Sequence, residues 1–181
     1  MENHYQVIIV GGGQAGLSVA HGLQEKGIQY IIFEKSEIAS SWKNKRWDKF
    51  CLVTPNFQCR LPGYSYAGND PEGFMQKDEI VDFVKGYAAT FNPTIKEGVE
   101  VLEVSKNNEG IFEVITSLGT FTAEEVVIAA GNFHSPIIPP VAKKMDASIV
   151  QLHSSEYKNP EQLPEGETLV CLLYTSDAAD D

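Results

Sequence analysis

Apolar and polar residues follow two different periodicities along the first 34 positions. Residues 5–10 are almost continuously apolar and rich in Val and Ile, which predicts a strand buried on both faces. Over residues 14–26, Ala15, Val19 and Leu23 recur at i, i+4 and i+8, which predicts a helix. A second apolar strand is predicted over 29–33. This order is typical of an α/β fold with a parallel sheet.

Three consecutive glycines occupy the turn between the first strand and the helix. They give the pattern G-x-G-x-x-G on Gly11, Gly13 and Gly16. We expect Gly11 to make the sharp exit from the strand and Gly16 to let the helix lie close to the sheet. We expect Gly13 to let a pyrophosphate approach bare backbone at the helix N-terminus, with a positive φ of its own. The pattern therefore predicts a dinucleotide site.

An acidic residue follows at the distance that such a site requires. Glu34 ends the second predicted strand, 18 positions after Gly16. Its carboxylate is placed to accept a hydrogen bond from a ribose 2′-hydroxyl, and it disfavours a 2′-phosphate. The site is therefore predicted to hold FAD or NAD rather than NADP.

The middle of the chain lacks a long periodic run. Residues 35–76 are aromatic and rich in Pro and Gly, so they either cover a flat aromatic ring or form a packed surface loop; composition leaves these two alternatives open. Residues 78–91 have the apolar stripe of a core helix. Strands at 99–105, 111–116 and 119–122 are expected to form a small antiparallel meander. A buried strand at 125–130 then ends in small residues, where backbone can come close to a ligand.

Composition excludes some classes of partner. The 181 residues carry a net charge of −11, which argues against nucleic acid and anionic membranes as partners. The chain shows neither a signal peptide nor a membrane span, so we expect a cytoplasmic protein. Cys51, Cys59 and Cys171 lack the spacing of a zinc or redox pair, and free thiols are expected.

An ordered set of motifs resembles the N-terminal half of flavin-containing monooxygenase-like, FAD-dependent oxidoreductases. The set comprises the glycine pattern, the acid at strand two, and "SSW", "LVTP", "LPGYSY", "GVEVLEV", "AAG" and "LHSSEY". The resemblance covers residues 4–170 and implies a two-dinucleotide-binding flavoprotein with a Rossmann-like FAD domain. It assigns the following residues to FAD: Gly11, Gly13, Gln14, Ala15, Gly16, Glu34, Lys35, Ser41, Trp42, Thr54, Val101, Ala130 and Gly131.

Each of these residues has an implied place. The glycine turn, Glu34 and Lys35 would bind the diphosphate and the adenosine ribose, and Val101 would contact adenine through its backbone. Ser41 and Trp42 match a Trp element beside FAD, and Thr54 lies in a stretch approaching the flavin. Ala130 and Gly131 match the relatives' Ala-Thr-Gly.

Three departures from the family pattern matter. Ala39 stands where relatives usually have Gly before the Trp element, and Ala130 replaces the Thr of Ala-Thr-Gly. His153 matches one part of the Baeyer-Villiger fingerprint, whereas the upstream Phe-x-Gly and the downstream Trp-Pro of that fingerprint are absent. This departure argues against ketone oxygenation. We expect His153 to be a hydrogen-bonded structural residue rather than a proton-transfer group.

The resemblance also predicts the domain organisation. Residues 1–140 are expected to form the FAD-binding domain, and 141–170 a linker and the start of a truncated NADPH-binding domain. Residues 171–181 resemble an artefactual tail. The FAD sheet would then be incomplete and the chain a fragment, inactive by itself.

The implied activity is flavin monooxygenation of an unknown small molecule. In the family, NADPH reduces FAD, and the reduced flavin reacts with O2 to give a C4a-(hydro)peroxide that oxygenates the substrate. Two alternatives stay open: a non-catalytic FAD-binding regulator and a disulfide reductase-type flavoprotein. The second is disfavoured because Cys51 and Cys59 lie in a Pro-rich loop without a short redox motif. Catalytic side chains, substrate and oligomeric state are not predicted.

Overall fold

The computed structural model describes residues 3–131 and 136–170. The chain begins with strand β1 (His4–Val10), helix α1 (Gln14–Glu25) and strand β2 (Tyr30–Glu34). These are the three elements that the apolar periodicity predicted, with ends shifted by one residue. Three-residue and four-residue connections keep them tightly joined.

The aromatic segment after β2 is mostly irregular, as predicted, and contains short elements. They are helix α2 (Ser40–Asn44), a 3-10 turn (Asn56–Gln58) and a hairpin of strands β3 (Arg60–Leu61) and β4 (Tyr64–Ser65). Two-residue strands are too short to give a periodic signal, which is why the hairpin was not predicted. Helix α3 (Lys77–Phe91) follows and begins with a capping box between Gln76 and Glu79. Within the described ranges, no helix has both the length and the apolar character needed to cross a membrane.

The second half of the chain corrects the predicted strands. It contains β5 (Ile95–Glu97), β6 (Val101–Lys106), β7 (Phe112–Thr116) and β8 (Gly119–Ile128). The short strand β5 was missed, and the separate strands predicted at 119–122 and 125–130 are one strand, β8. The exposed pair Glu124 and Glu125 interrupts the apolar alternation within β8 and suggested a break. Two 3-10 turns follow, at Pro140–Lys144 and Pro160–Gln162.

One mixed sheet of six strands holds the fold together, in the order β5-β2-β1-β8-β7-β6. Strands β5, β2, β1 and β8 are parallel, in the spatial order of a Rossmann half. The antiparallel meander β6-β7-β8 is confirmed, and it belongs to this same sheet. Thr122 and Ala123 of β8 pair with β1 on one side and β7 on the other. The predicted α/β fold class is therefore confirmed.

The second half of β1 and most of β2 are buried on both faces, which explains their continuous apolar sequence. On one face, Val7, Ile9 and Ile32 pack with α1 and α3. On the opposite face, Ile8, Ile31 and Phe33 pack with residues of the meander: Val114, Phe121 and Ala123. The Phe33 and Phe121 rings lie 4.8 Å apart. Helices thus cover one face of the parallel strands and the meander covers the other.

Helix α1 lies unusually close to the sheet at one glycine. A Cβ atom on Gly16 would be 2.0 Å from the Gly11 carbonyl oxygen and 3.3 Å from Cγ2 of Ile9. The predicted role of Gly16 in helix–strand packing is confirmed, because no side chain fits at this contact. Gly22 lies on the same helix with nothing within 4 Å of its Cβ position.

We predict opposite effects for the same substitution at these two glycines. Gly16→Ala should destabilise the fold by about 2–3 kcal/mol, because α1 must move away from β1. Gly22→Ala should stabilise it by about 0.5–1 kcal/mol, because alanine is the better helix former. Urea denaturation followed by circular dichroism measures both values. Equal effects of the two substitutions would contradict the close contact at Gly16.

Helices α2 and α3 are joined by a shared carboxylate. Glu37 Oε1 lies 2.8 Å from Lys43 Nζ on α2, and Glu37 Oε2 lies 2.9 Å from Lys85 Nζ on α3. Hydrogen bonds from Lys43 and then Lys85 lower the pKa of the Glu37 carboxyl from 4.5 to about 2. Glu37 therefore stays ionised far into the acidic range.

We predict a specific pH dependence from this carboxylate. Its folded-state pKa is depressed, so its contribution to stability is fully present above pH 4.5 and is lost as the pH falls toward about 2. Glu37→Gln should melt at a lower temperature than wild type near neutral pH, and the difference should narrow over that window. Thermal melts at a series of pH values measure it. Glu109→Gln, at an exposed carboxylate in the β6–β7 turn, is the control and should show no such narrowing.

Candidate functional site

Three parallel strands end together at one edge of the sheet. Val10 pairs with Phe33 of β2 and with Ile128 of β8. Just beyond the strands, Gly11 N–H donates to the Phe33 carbonyl and Ala129 N–H donates to the Val10 carbonyl, each at 2.8 Å. In open α/β sheets the carboxyl edge of the strands is where ligands bind. The glycine turn and the predicted small-residue turn are thereby neighbours.

Gly11 allows these two turns to meet. Its φ is +107°, a conformation that glycine adopts without strain. A Cβ atom on Gly11 would lie 2.5 Å from the Ala129 carbonyl oxygen and 3.2 Å from the Ala130 Cα. The sharp exit expected at Gly11 is confirmed, and the same glycine makes room for the end of β8.

Gly13 is the residue that caps α1, and it faces open space. No atom lies within 4 Å of its Cβ position. Its φ is −82°, so the expectation that it needs a positive φ is wrong. The reason is that the residue before a helix adopts extended backbone, which any residue can reach. Glycine at this position is therefore required neither by backbone strain nor by contacts within the described residues.

The first turn of α1 carries the remaining glycine-motif residues. Gln14 and Ala15 follow Gly13, and this turn contains no acidic side chain. The first N–H groups of a helix have no partner within it and carry the positive end of its dipole. This end of α1 can therefore accept an anion in front of Gly13.

Glu34 is fixed in place by two backbone groups. Its carboxylate accepts the Gly12 N–H at 2.7 Å and the Ser36 N–H at 2.9 Å. Each oxygen retains a lone pair for a further donor, such as a sugar hydroxyl. The structure thus holds Glu34 at the end of β2, beside the glycine turn, as the spacing predicted.

Gly12 contributes to this arrangement, a role that the G-x-G-x-x-G pattern does not assign to it. A Cβ atom there would lie 2.9 Å from Ile95 Cδ1 and 3.1 Å from Glu34 Cβ. The absence of a side chain lets the Glu34 carboxylate reach the Gly12 N–H. The motif requires glycine only at the first and third positions of this turn, so the additional glycine at position 12 was the signal in the sequence that pointed to its role.

Lys35 and Val101 lie near the same strand end. The ammonium of Lys35 is 2.7 Å from Oε1 of Glu100, which directly precedes Val101. Val99 N–H donates to the Glu34 carbonyl at 2.9 Å, which holds the 98–101 segment beside β2. Val101 itself begins β6 and is half-buried. The adenosine-binding roles of Lys35 and Val101 stay predictions, and the structure brings the two regions together.

Ala130 and Gly131 are exposed at the end of the second turn. Gly131 has a φ of +79°, which turns the chain away from the strand direction. The next residues, 132–135, lie outside the described part of the chain, as do 171–181 with the predicted tail and Cys171.

Ser41 and Trp42 lie on α2, and Thr54 lies in an exposed bend. The Trp42 ring is half-buried, 5.7 Å from the Phe50 ring, and the Arg46 guanidinium stands 5.0 Å over it. Ala39, directly before α2, has a φ of +65°. That left-handed conformation gives a physical reason for the glycine that relatives usually have there. Contacts of Ser41, Trp42 and Thr54 with FAD remain predictions.

His153 is held by its own loop. Its Nδ1 accepts the Ser155 N–H at 3.1 Å and lies 2.8 Å from the Ser155 hydroxyl. This hydrogen bonding agrees with the structural role that the sequence suggested.

The two described thiols are both free, as expected. Cys51 is exposed, whereas Cys59 is half-buried with its Sγ 3.7 Å from the Pro55 carbonyl oxygen. Burial raises the pKa of the Cys59 thiol. A raised pKa disfavours the thiolate that thiol chemistry requires.

Comparison with known proteins gives a consistent picture. An uncharacterized CzcO-like oxidoreductase of Geobacillus kaustophilus is 39% identical over 171 residues, which are 94% of this chain and 48% of that protein. A probable indole-3-pyruvate monooxygenase of Arabidopsis thaliana is 33% identical over 90% of this chain and 40% of its own length. The chain thus spans about half the length of the curated relatives it matches.

A solved structure shares the fold. The flavin-containing monooxygenase from Stenotrophomonas maltophilia superposes with a TM-score of 0.76 at 24% identity, covering 90% of this chain and 48% of that one. The resemblance predicted from the sequence motifs is confirmed by these matches. The profile of one family, described as pyridine nucleotide-disulphide oxidoreductase, matches residues 8–171. On that match and this fold, the chain belongs to the pyridine nucleotide-disulphide oxidoreductase family.

Proposed function

We propose that this chain binds FAD and forms the FAD-binding part of a flavin-dependent oxidoreductase of the monooxygenase type, acting on a small molecule with NADPH and O2. The observation that carries the proposal is the carboxyl edge of the sheet. There Gly11 brings the glycine turn against Ala129, α1 points its N-terminus outward, and Glu34 is held by two N–H groups. The names of the monooxygenase relatives support the reaction type.

The described residues fit a dinucleotide. The open space at Gly13 and the first turn of α1 would hold the diphosphate, because backbone N–H groups can reach phosphate oxygens where no side chain intervenes. The free lone pairs of Glu34 would accept the ribose hydroxyls. The 98–101 segment would lie along the adenine, and the α2 region would lie beside the isoalloxazine.

The bound flavin would supply the redox and oxygen-activating chemistry, with NADPH as the source of electrons. The described residues would bind and orient it. Glu34 would set the position of the ribose, and the half-buried Trp42, packed on Phe50, would limit water access on its side. The proposed reaction does not require any side chain of this chain to act as a nucleophile.

A disulfide reductase is the second candidate, suggested by the family description. Such an enzyme needs a thiolate close to the flavin. Cys59 is held as a thiol by burial, and Cys51 is eight positions away in sequence. These observations favour the monooxygenase type. A regulator that binds FAD without catalysis would share the site, and an assay of NADPH oxidation distinguishes it from an enzyme.

We predict that the chain prefers FAD to NAD. Protein reconstituted with FAD should remain yellow after desalting, and calorimetry should detect FAD binding but little heat with NAD. Glu34 and the adenine side of the site can serve either cofactor, so the preference rests on the aromatic α2 region and on the small-residue turn at Ala130 and Gly131. Binding of NAD with no binding of FAD would overturn the proposed function.

We predict that Gly13→Val lowers FAD affinity by well over tenfold, about 1.4 kcal/mol or more, because the branched side chain occupies the space of the diphosphate. The substitution should leave the fold intact, since φ is −82° and no atom lies within 4 Å of the new Cβ. Flavin fluorescence titration measures the affinity and circular dichroism the fold. Gly13→Ala should lie between wild type and Gly13→Val. Equal flavin retention in all three proteins would show that the turn does not hold the diphosphate.

A further inference from the structure

A loop near the end of the described chain is docked on the C-terminal end of α2. The ammonium of Lys158 donates to the Asn44 carbonyl at 2.6 Å and to the Arg46 carbonyl at 3.2 Å. The last carbonyls of a helix lack partners within it and carry its negative end, so a lysine there is a favourable cap. These bonds join parts of the sequence more than 100 residues apart.

Two further hydrogen bonds hold the same contact. Asp48 N–H donates to the Lys158 carbonyl at 2.8 Å, and the Asn159 side-chain amide donates to the Asp48 carboxylate at 2.8 Å. Oδ1 of Asp48 also lies 3.6 Å from Lys77 Nζ, at the start of α3. The Lys158 loop is therefore bonded to the end of α2 and, through Asp48, connected to the start of α3.

The loop that carries Lys158 is itself constrained. The Gln162 side-chain oxygen accepts the N–H groups of Lys158 and Asn159, and the Asn159 side chain caps the 3-10 turn Pro160–Gln162. His153 is fixed to Ser155 earlier in the loop. The ammonium of Lys158 is thus presented from a structured loop, which lowers the entropy lost in forming its bonds.

The capped end of α2 continues into the packing of Trp42. The Arg46 guanidinium lies 5.0 Å from the Trp42 ring centre and 5.4 Å from the Phe50 ring centre. The carbonyl of this same Arg46 is one of the two that Lys158 holds. Release of that carbonyl would free the backbone that sets Arg46 over Trp42.

We propose that Lys158 is a positioning residue for Trp42, acting through the carbonyls of Asn44 and Arg46. This inference rests on the proposed function for its consequence, which is that Lys158 sets the α2 side of the FAD site. The claim that Lys158 positions Trp42 concerns the protein without cofactor and is tested separately.

The test uses the full 181-residue chain with Trp47→Phe as background, which leaves Trp42 as the single indole. Lys158→Met removes the charge and the donors at similar side-chain length, and Lys158→Arg restores a cation with donors. Lys144→Met, at an exposed lysine, is the matched control. Asn159→Ala removes the neighbouring bond to Asp48 together with the cap of the 3-10 turn, keeps the Lys158 ammonium, and serves as a second, milder variant.

Two measurements are made on each protein: acrylamide quenching of Trp42 fluorescence without FAD, and FAD affinity by flavin fluorescence. We expect Lys158→Met to raise the quenching constant about twofold, because α2 opens locally. We expect it to weaken FAD binding about fivefold. Asn159→Ala should shift both in the same direction by less, Lys158→Arg should recover most of the loss, and Lys144→Met should match the background protein.

Unchanged quenching in both Lys158→Met and Asn159→Ala would overturn the positioning role, whatever the FAD affinity. Equal losses in Lys158→Met and Lys144→Met would also overturn it, since they would reflect a general effect of lost charge. If neither the wild-type chain nor the background protein binds FAD, the proposed function fails, and the quenching of Trp42 still decides whether Lys158 positions it.

Discussion

Contact between bare backbone segments at Gly11 is the constraint on which the rest of the structure depends. The Gly11 carbonyl oxygen lies 2.0 Å from where a Cβ of Gly16 would be, and the Cβ position of Gly11 lies 2.5 Å from the Ala129 carbonyl oxygen. A strand, a helix and the end of a second strand therefore meet with no side chain between them. This meeting fixes how close α1 lies to β1 and where β8 stops. A shift at this point would displace every group at the carboxyl edge of the sheet.

The same close packing also bears on the electrostatics of the proposed FAD site. A carboxylate near a diphosphate would repel it if its charge were unbalanced. Glu34 instead accepts two backbone N–H groups, one of them from Gly12 within the glycine turn. Hydrogen bonds from two backbone groups hold the carboxylate in one orientation. In the proposed complex the helix N-terminus would face the phosphates while Glu34 would face the sugar, so the two charges would act on different parts of one ligand.

The parts of the fold that were predicted from sequence are those fixed by local pattern. Strand β1, helix α1 and strand β2 each have a continuous or periodic apolar signal, and the glycine motif specified their junction. Strand β8 was split wrongly because the exposed Glu124 and Glu125 break the local alternation, whereas pairing with β1 continues past them, which local alternation does not encode. Gly12 and Lys158 were missed for a related reason. Their hydrogen-bond partners are 22 and 114 residues away in sequence, and only the folded chain identifies these partners.

Helix α2 shows most clearly why the aromatic segment could not be predicted. A helix of five residues is not stable by itself, and this one is preceded by Ala39, which has a φ of +65°. That conformation costs an alanine about 1–2 kcal/mol, partly offset by burial of its methyl group in the core. Glu37 ties the N-terminal side of α2 to α3 through Lys85, and Lys158 caps its C-terminal side. The helix is therefore a product of tertiary contacts at both ends. Because those contacts come from three separate parts of the chain, the position of Trp42 follows from the assembled fold and not from the sequence around it.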